Sequence, residues 1–304
     1  MEASAFLPGF EVQKVSLPGL RINVATAGHG PAVLLLHGHP QTHVAWRKVA
    51  PLLVAAGYTV VAPDLRGYGD SDKPPSDASH LPYSKRVMAQ DQIALMAHLG
   101  HSKFAVVGHD RGGRVGHRLA LDFPDVVTHL VVLDIAPTHT MYAQTDQAFA
   151  TRYFWWFFLI QPAGLPEKMI GSDPEYFLRS HVAGQVRVPG AVDEAAIAEY
   201  LRSYRDPATL HAICEDYRAS ASIDLVHDEA DFDSRIQAPV LALWGAQSVV
   251  GTLYDVRATW AAKGMRVSGC ALPCGHAIPE EAPEALTAHI LTFLTDDRVQ
   301  RPEI

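Results

Sequence analysis

"KFAVVGHDRGGRVGH", residues 103–117, decides how the chain folds. Its first half is a continuous apolar run ending at Asp110, as expected of a strand buried on both faces. Gly112 and Gly113 then let the backbone turn sharply and let a helix pack close to that strand. A nucleophile flanked by small residues between strand and helix is the sequence form of a nucleophile elbow, with aspartate here in the place of serine. Taken alone, "GHDRGG" also suits a plain strand-to-helix turn with a capping aspartate. The residues further along the chain decide between the two.

Similar runs recur on both sides. "AVLLLH" (32–37), "YTVVAPDL" (58–65), "HLVVLDIAP" (129–137) and "PVLALWG" (239–245) are continuous, rich in Val and Leu, and read as buried parallel strands. "RINVATA" (21–27) reads as an antiparallel edge strand. Helical patterns fall at about 44–56, 84–99, 112–122, 253–263 and 283–296. Strands alternating with helices predict an open α/β sheet with helices on both faces. The alternation stops after Pro137 and resumes near Pro239. Residues 138–226, rich in aromatics and helix formers, read as a helical cap inserted into a core made of residues 1–137 and 227–304. It is expected to lie over the carboxyl ends of the strands, where such sheets bind ligands.

Composition narrows the function. Of 304 residues, 48% are hydrophobic and 19% charged, which is a globular balance. A net charge of −8 argues against general affinity for nucleic acid or an anionic membrane, so any anion site must be local. "YFWWFFLI" (153–160) is too short to span a bilayer, and the N-terminus lacks the pattern of a signal peptide. Three cysteines, Cys214, Cys270 and Cys274, are too few and too odd in number for a disulfide framework or a metal site. A cytoplasmic location is expected.

A carboxylate nucleophile needs a base that activates water to release its ester. "CGHAIPEEAP" (274–283) supplies His276, in a loop after a short strand and before the last helix. The base needs an orienting acid. The loop after "PVLALWG" continues "AQSVV" and holds no acid, whereas "VVLDIAP" offers Asp134. The order Asp110, Asp134, His276 is that of nucleophile, acid and histidine in hydrolases of this architecture. "LLLHGHPQT" (34–42) places a loop where backbone N–H groups form an oxyanion hole; the expected donors are the amides of His39 and Arg111. The side chains of His37 and His39 are expected to hold that loop.

"HGHPQTHVAW", "APDLRGYGDSDKP", "GHDRGGRV", "LDIAPT" and "GHAIPEEAP" together resemble the capped α/β-hydrolase branch of epoxide hydrolases and dehalogenases. Within it, Asp-Arg at the elbow with a second arginine three residues on most resembles the fluoroacetate (haloacetate) dehalogenases. The resemblance implies an α/β-hydrolase fold with a mostly parallel eight-stranded sheet and a homodimer. It also implies a halide pocket made by a His-Trp pair and a Tyr of the cap. Trp156 matches the Trp and Tyr217 in "CEDYRA" the Tyr, while Trp155 stands at the histidine position.

Arg111 and Arg114 lie three apart on the first helical turn, so their side chains converge on one face. Cations are unfavourable at a helix N-terminus, so the pair must gain elsewhere, most simply by binding an anion. The alternative is ion pairing with Asp122 or Asp125. A substrate carboxylate on this pair would align the α-carbon of a 2-haloacid with Asp110. The expected reaction turns a haloacetate into glycolate and halide with no metal or organic cofactor. Fluoride needs strong donors, and a Trp155 indole offers less than an imidazolium, so chloroacetate is expected to react more readily than fluoroacetate. An epoxide hydrolase would share the triad and use cap tyrosines, of which Tyr142, Tyr153, Tyr176, Tyr200, Tyr204 and Tyr217 are present. It usually has an aromatic where Arg111 stands. A ligand-binding protein on a retired scaffold would have no need for the full set of catalytic groups.

Overall fold

A computed structural model describes residues 6–296. Eight strands form one sheet: β1 (Glu11–Leu17), β2 (Leu20–Ala27), β3 (Ala32–Leu36), β4 (Thr59–Pro63), β5 (Phe104–His109), β6 (Val127–Leu133), β7 (Val240–Gly245) and β8 (Val267–Leu272). Their order is β1-β2-β4-β3-β5-β6-β7-β8. β2 runs antiparallel to both neighbours, and the pairs from β4 to β8 are parallel. The fold is therefore an α/β hydrolase with a mostly parallel eight-stranded sheet. The strand over 21–27 is antiparallel as expected but is not the edge, because β1 pairs outside it. Only Val15 of β1 is buried, so its apolar signal is too weak to mark a strand.

Helices α1 (Ala50–Ala55), α2 (Lys85–His98) and α3 (Arg111–Asp122) follow β3, β4 and β5. The pattern over 44–56 splits into a 3-10 turn, His43–Trp46, and α1, which has Pro51 in its first turn. All of β3 and β5 is buried. Leu34 and Leu36 pack with Val115 and Leu119 of α3, while Val33 and Leu35 pack with Leu53 of α1 and, across that face, with Ile290. Alternate residues thus serve two cores, which is why these strands read as unbroken apolar runs.

Between β6 and β7 lie α4 (Thr138–Ala143), α5 (Gln147–Arg152), α6 (Phe154–Phe158), α7 (Leu165–Ser172), α8 (Pro174–Gln185), α9 (Glu194–Tyr204), α10 (Pro207–Ser220) and α11 (Ile223–Ala230). Residue 226 falls inside α11, which packs on α4 and α10. After β7 come α12 (Val249–Leu253) and α13 (Val256–Ala261), then α14 (Ile278–Glu281) and α15 (Pro283–Thr295). The pattern over 253–263 is broken because Tyr254 is extended and Asp255 caps α13 through the Ala258 amide at 2.9 Å. No helix among the described residues is long and apolar enough to cross a membrane.

Register brings the site together. Leu36 pairs with Gly108, His109 with Leu133, Leu133 with Leu243 and Gly245 with Leu272. The loops that follow β3, β5, β6, β7 and β8 therefore emerge side by side at one end of the sheet.

Candidate active site

Asp110 follows β5 at φ 46° and ψ −114°, a backbone conformation that costs a non-glycine residue energy and persists only when its surroundings enforce it. The enforcement is steric. A Cβ on Gly112 would lie 2.3 Å from the Leu36 carbonyl oxygen, and one on Gly38 would lie 2.6 Å from the Asp110 Cβ. Only glycine allows the β3 loop and the start of α3 to approach that closely. The approach delivers the His39 amide, which donates to Asp110 Oδ2 at 3.1 Å. Nε2 of His37 accepts from the Leu65 amide at 3.0 Å while its Nδ1 donates to the Gly38 carbonyl at 2.9 Å. Nε2 of His39 pairs with the Tyr204 hydroxyl of α9 at 3.1 Å, tying the loop to the helical insertion.

Asp134 follows β6, also at positive φ, 52°. Its Oδ1 accepts the Gly245 amide at 2.9 Å, and its Oδ2 accepts from His276 Nδ1 at 2.6 Å. One bond aims the carboxylate and the other orients the imidazole, leaving His276 Nε2 for chemistry. The backbone of His276 is fixed as well. Its amide donates to the Gln185 carbonyl at 3.1 Å, and its carbonyl accepts from His109 Nε2 at 2.8 Å. Burial opposes charge on His276, but the hydrogen bond and charge of Asp134, with the charge of Asp110, raise its pKa above 6.5. Burial would raise the Asp110 carboxyl; His276, Arg111 and Arg114 outweigh it and hold the group below the usual carboxylate range. An ionised nucleophile beside a readily protonated base is what covalent catalysis by a carboxylate requires.

Arg111 and Arg114 are both buried. Neither pairs with Asp122 or Asp125; Asp122 instead bonds Arg86 and Arg118. Arg111 gives Nε and Nη2 to Asp216 of α10, both at 2.8 Å, and Nη2 also reaches the Ser220 hydroxyl at 2.6 Å. Tyr68 and Lys85 complete the partners of Asp216. Part of the gain that offsets a cation at the start of α3 is thus internal, an anion from the helical insertion. Arg114 donates Nη1 to the Ala136 carbonyl at 3.1 Å and to Thr138 Oγ1 at 3.0 Å. The Arg111 guanidinium lies 4.1 Å from the centre of the Tyr217 ring and that of Arg114 4.7 Å from Trp156. The two rings are 6.3 Å apart, so four sequence-predicted groups form one cluster.

Trp155 points elsewhere. It packs on Tyr153 at 4.9 Å and on His181 of α8 at 4.6 Å, and His181 in turn packs on His39 at 4.7 Å. An imidazole therefore reaches the site from α8, although none stands at position 155. Burial holds His181 well below the ordinary histidine range, so it is neutral. Sequence reasoning missed His181 and Asp216. Both sit in helices whose pattern announces packing rather than chemistry, and only the tertiary contacts mark them.

The match to the alpha/beta hydrolase fold family covers residues 31–283. The chain is 44% identical to a fluoroacetate dehalogenase from Burkholderia sp., over 95% of each protein. It is 34% identical to a soluble epoxide hydrolase from Corynebacterium sp. (strain C12), over 90% of this chain and 94% of that one. A crystallised Salmonella enterica protein, provisionally called an acyltransferase, superimposes with a TM-score of 0.95 at 59% identity, covering 96% of this chain and 97% of its own. With the turn at Asp110, the Asp134–His276 pair and the loop after β3 brought together, the chain belongs to the alpha/beta-hydrolase family, as a hydrolase of the branch that holds fluoroacetate dehalogenase and epoxide hydrolases.

Proposed function

We propose that the protein is a hydrolytic dehalogenase of small 2-haloacids, converting a haloacetate to glycolate and halide. The observation that carries this is the pair of arginines. Among the described residues, Arg111 Nη1 and Arg114 Nε are buried donors without a hydrogen-bond partner. A buried unpaired donor on a cation costs several kcal/mol unless a ligand completes it. A carboxylate supplies two acceptor oxygens for two such donors. Both cations act on the Asp110 carboxyl, so an anion bound to them is held beside the nucleophile. The Burkholderia relative, a fluoroacetate dehalogenase, supports the same reading.

In this mechanism an Asp110 carboxylate oxygen attacks the α-carbon, and the carbon–halogen pair leaves as halide. His276 Nε2 then takes a proton from water, whose oxygen adds to the Asp110 ester carbonyl. The oxyanion is held by the His39 amide and by that of Arg111, at the first position of α3. Collapse passes the proton from His276 to the departing product oxygen, and Asp110, which keeps the oxygen of the water, releases the second proton of that water to solvent and returns to a carboxylate. Trp156 and Tyr217 are the proposed halide donors, while Trp155 packs on Tyr153 and His181.

Epoxide hydrolysis is the second reading, favoured by the Corynebacterium relative and by Tyr153 and Tyr217 buried at the site. A neutral epoxide has no use for two buried guanidinium groups. Assaying chloride release from chloroacetate beside diol formation from styrene oxide separates the two. Chloride without diol is expected; diol without chloride contradicts the proposal.

A further inference from the structure

"PEE" after His276 ends in two adjacent carboxylates that do different work. Glu280 bonds Gln41, Arg47 and Tyr200. Glu281 is turned the other way and, among the described residues, binds only backbone. Its Oε2 accepts the amides of Arg187 at 2.7 Å, Val188 at 2.9 Å and Gly275 at 3.0 Å, and its Oε1 accepts that of Ala277 at 2.9 Å. Gly275 and Ala277 flank His276, and Arg187 and Val188 follow α8. The docking is tight: a Cβ on Gly275 would lie 2.4 Å from the Gln185 carbonyl oxygen and 2.9 Å from Glu281 Oε1.

We propose that Glu281 is a positioning residue for the general base: its carboxylate, by gathering four backbone N–H groups, clamps the His276 loop to the segment after α8 and fixes the imidazole between Asp134 and Asp110. A carboxylate suits this place because it only accepts. An amide would turn a donor toward at least one N–H. The clamp also bears on charge. The groups that face His276 are Asp134 after β6, Asp110 after β5, Glu281 of α14, and the buried imidazoles of His39, His109 and His181. Burial lowers the His276 pKa, and Asp134, Asp110 and Glu281 raise it. Removing the charge of Glu281 therefore lowers it.

This inference rests on the reading of His276 as the base, and its first test needs no substrate. Imidazole NMR titration of the whole protein is run on wild type, Glu281→Gln, Glu281→Asp and Glu280→Gln. In Glu281→Gln the His276 midpoint moves to lower pH; in Glu280→Gln it stays. With chloroacetate, Glu281→Gln turns over roughly 10- to 100-fold more slowly at little change in KM, the scale of loss from a misplaced catalytic group. Its acid limb moves with the NMR midpoint. Glu281→Asp keeps the charge and loses reach, so its midpoint stays while kcat falls. A folded Glu281→Gln with a wild-type midpoint overturns the proposal. If that variant does not fold, Glu281→Asp with full turnover overturns it. No chloride release by wild type would sink the haloacid reading and leave the titration to decide this one.

Discussion

Asp110, Asp134 and the His276 loop hang from the ends of neighbouring strands, whereas Trp155, Trp156, Asp216 and Tyr217 sit on helices inserted between β6 and β7. On the sheet side the placement is covalent and local. A positive-φ turn, a glycine approach and a continuous strand register from Ala105 to His109 leave little freedom. On the helical side, placement depends on aromatic packing and on the buried ion pairs that Asp216 makes with Arg111 and Lys85. In the proposed mechanism the first region supplies the bond-making groups, and the second decides what reaches them. Changes to the sheet side should therefore lower turnover for every substrate, while changes on the helical side should alter selectivity.

The largest expected effect is that of Asp110→Asn, which should lower chloride release by about 10⁶-fold, the scale of removing a catalytic nucleophile. Asp134→Asn should cost roughly 10² to 10⁴-fold, because the imidazole loses both its orientation and its stabilised cation. The pH profile gives the same pair a second test. In the proposed mechanism His276 acts in its neutral form, and its pKa is raised, so turnover should fall as pH drops through a midpoint above 6.5. Asp134→Asn should shift that midpoint to lower pH.

The contacts between α3 and the helical insertion, where Arg114 packs on Trp156, should give smaller and more selective losses. Arg114→Met should lower kcat/KM for chloroacetate by roughly 10- to 100-fold, the worth of a charge-assisted hydrogen bond, chiefly through KM. Equal losses on chloroacetate and on a neutral epoxide would blur the division between the two regions. Trp155→His should have the smallest effect, raising fluoride release relative to chloride release by a few-fold. No change in that ratio would show that His181, already against Trp155, makes position 155 indifferent.

This division also explains what could be read from the chain alone. Asp110, Asp134 and His276 were legible because strand-end residues are fixed by apolar runs and glycines within a few positions of them. The clustering of Arg111, Arg114, Trp156 and Tyr217 followed from one helical turn and a resemblance. Asp216 was not legible, since nothing in "CEDYRA" says that its aspartate crosses to Arg111, 105 residues away. His181 and Glu281 were missed for the same reason: their partners lie on other elements. β1 escaped because it buries too little to show a pattern.

The ester intermediate on Asp110 is the central claim, and a single turnover in H₂¹⁸O with enzyme in excess over chloroacetate tests it most directly. If Asp110 attacks carbon, the first glycolate carries unlabelled oxygen from the protein and the label appears in the peptide containing Asp110. Label in the first glycolate, with none in that peptide, would mean that water attacks the substrate directly and would contradict the account.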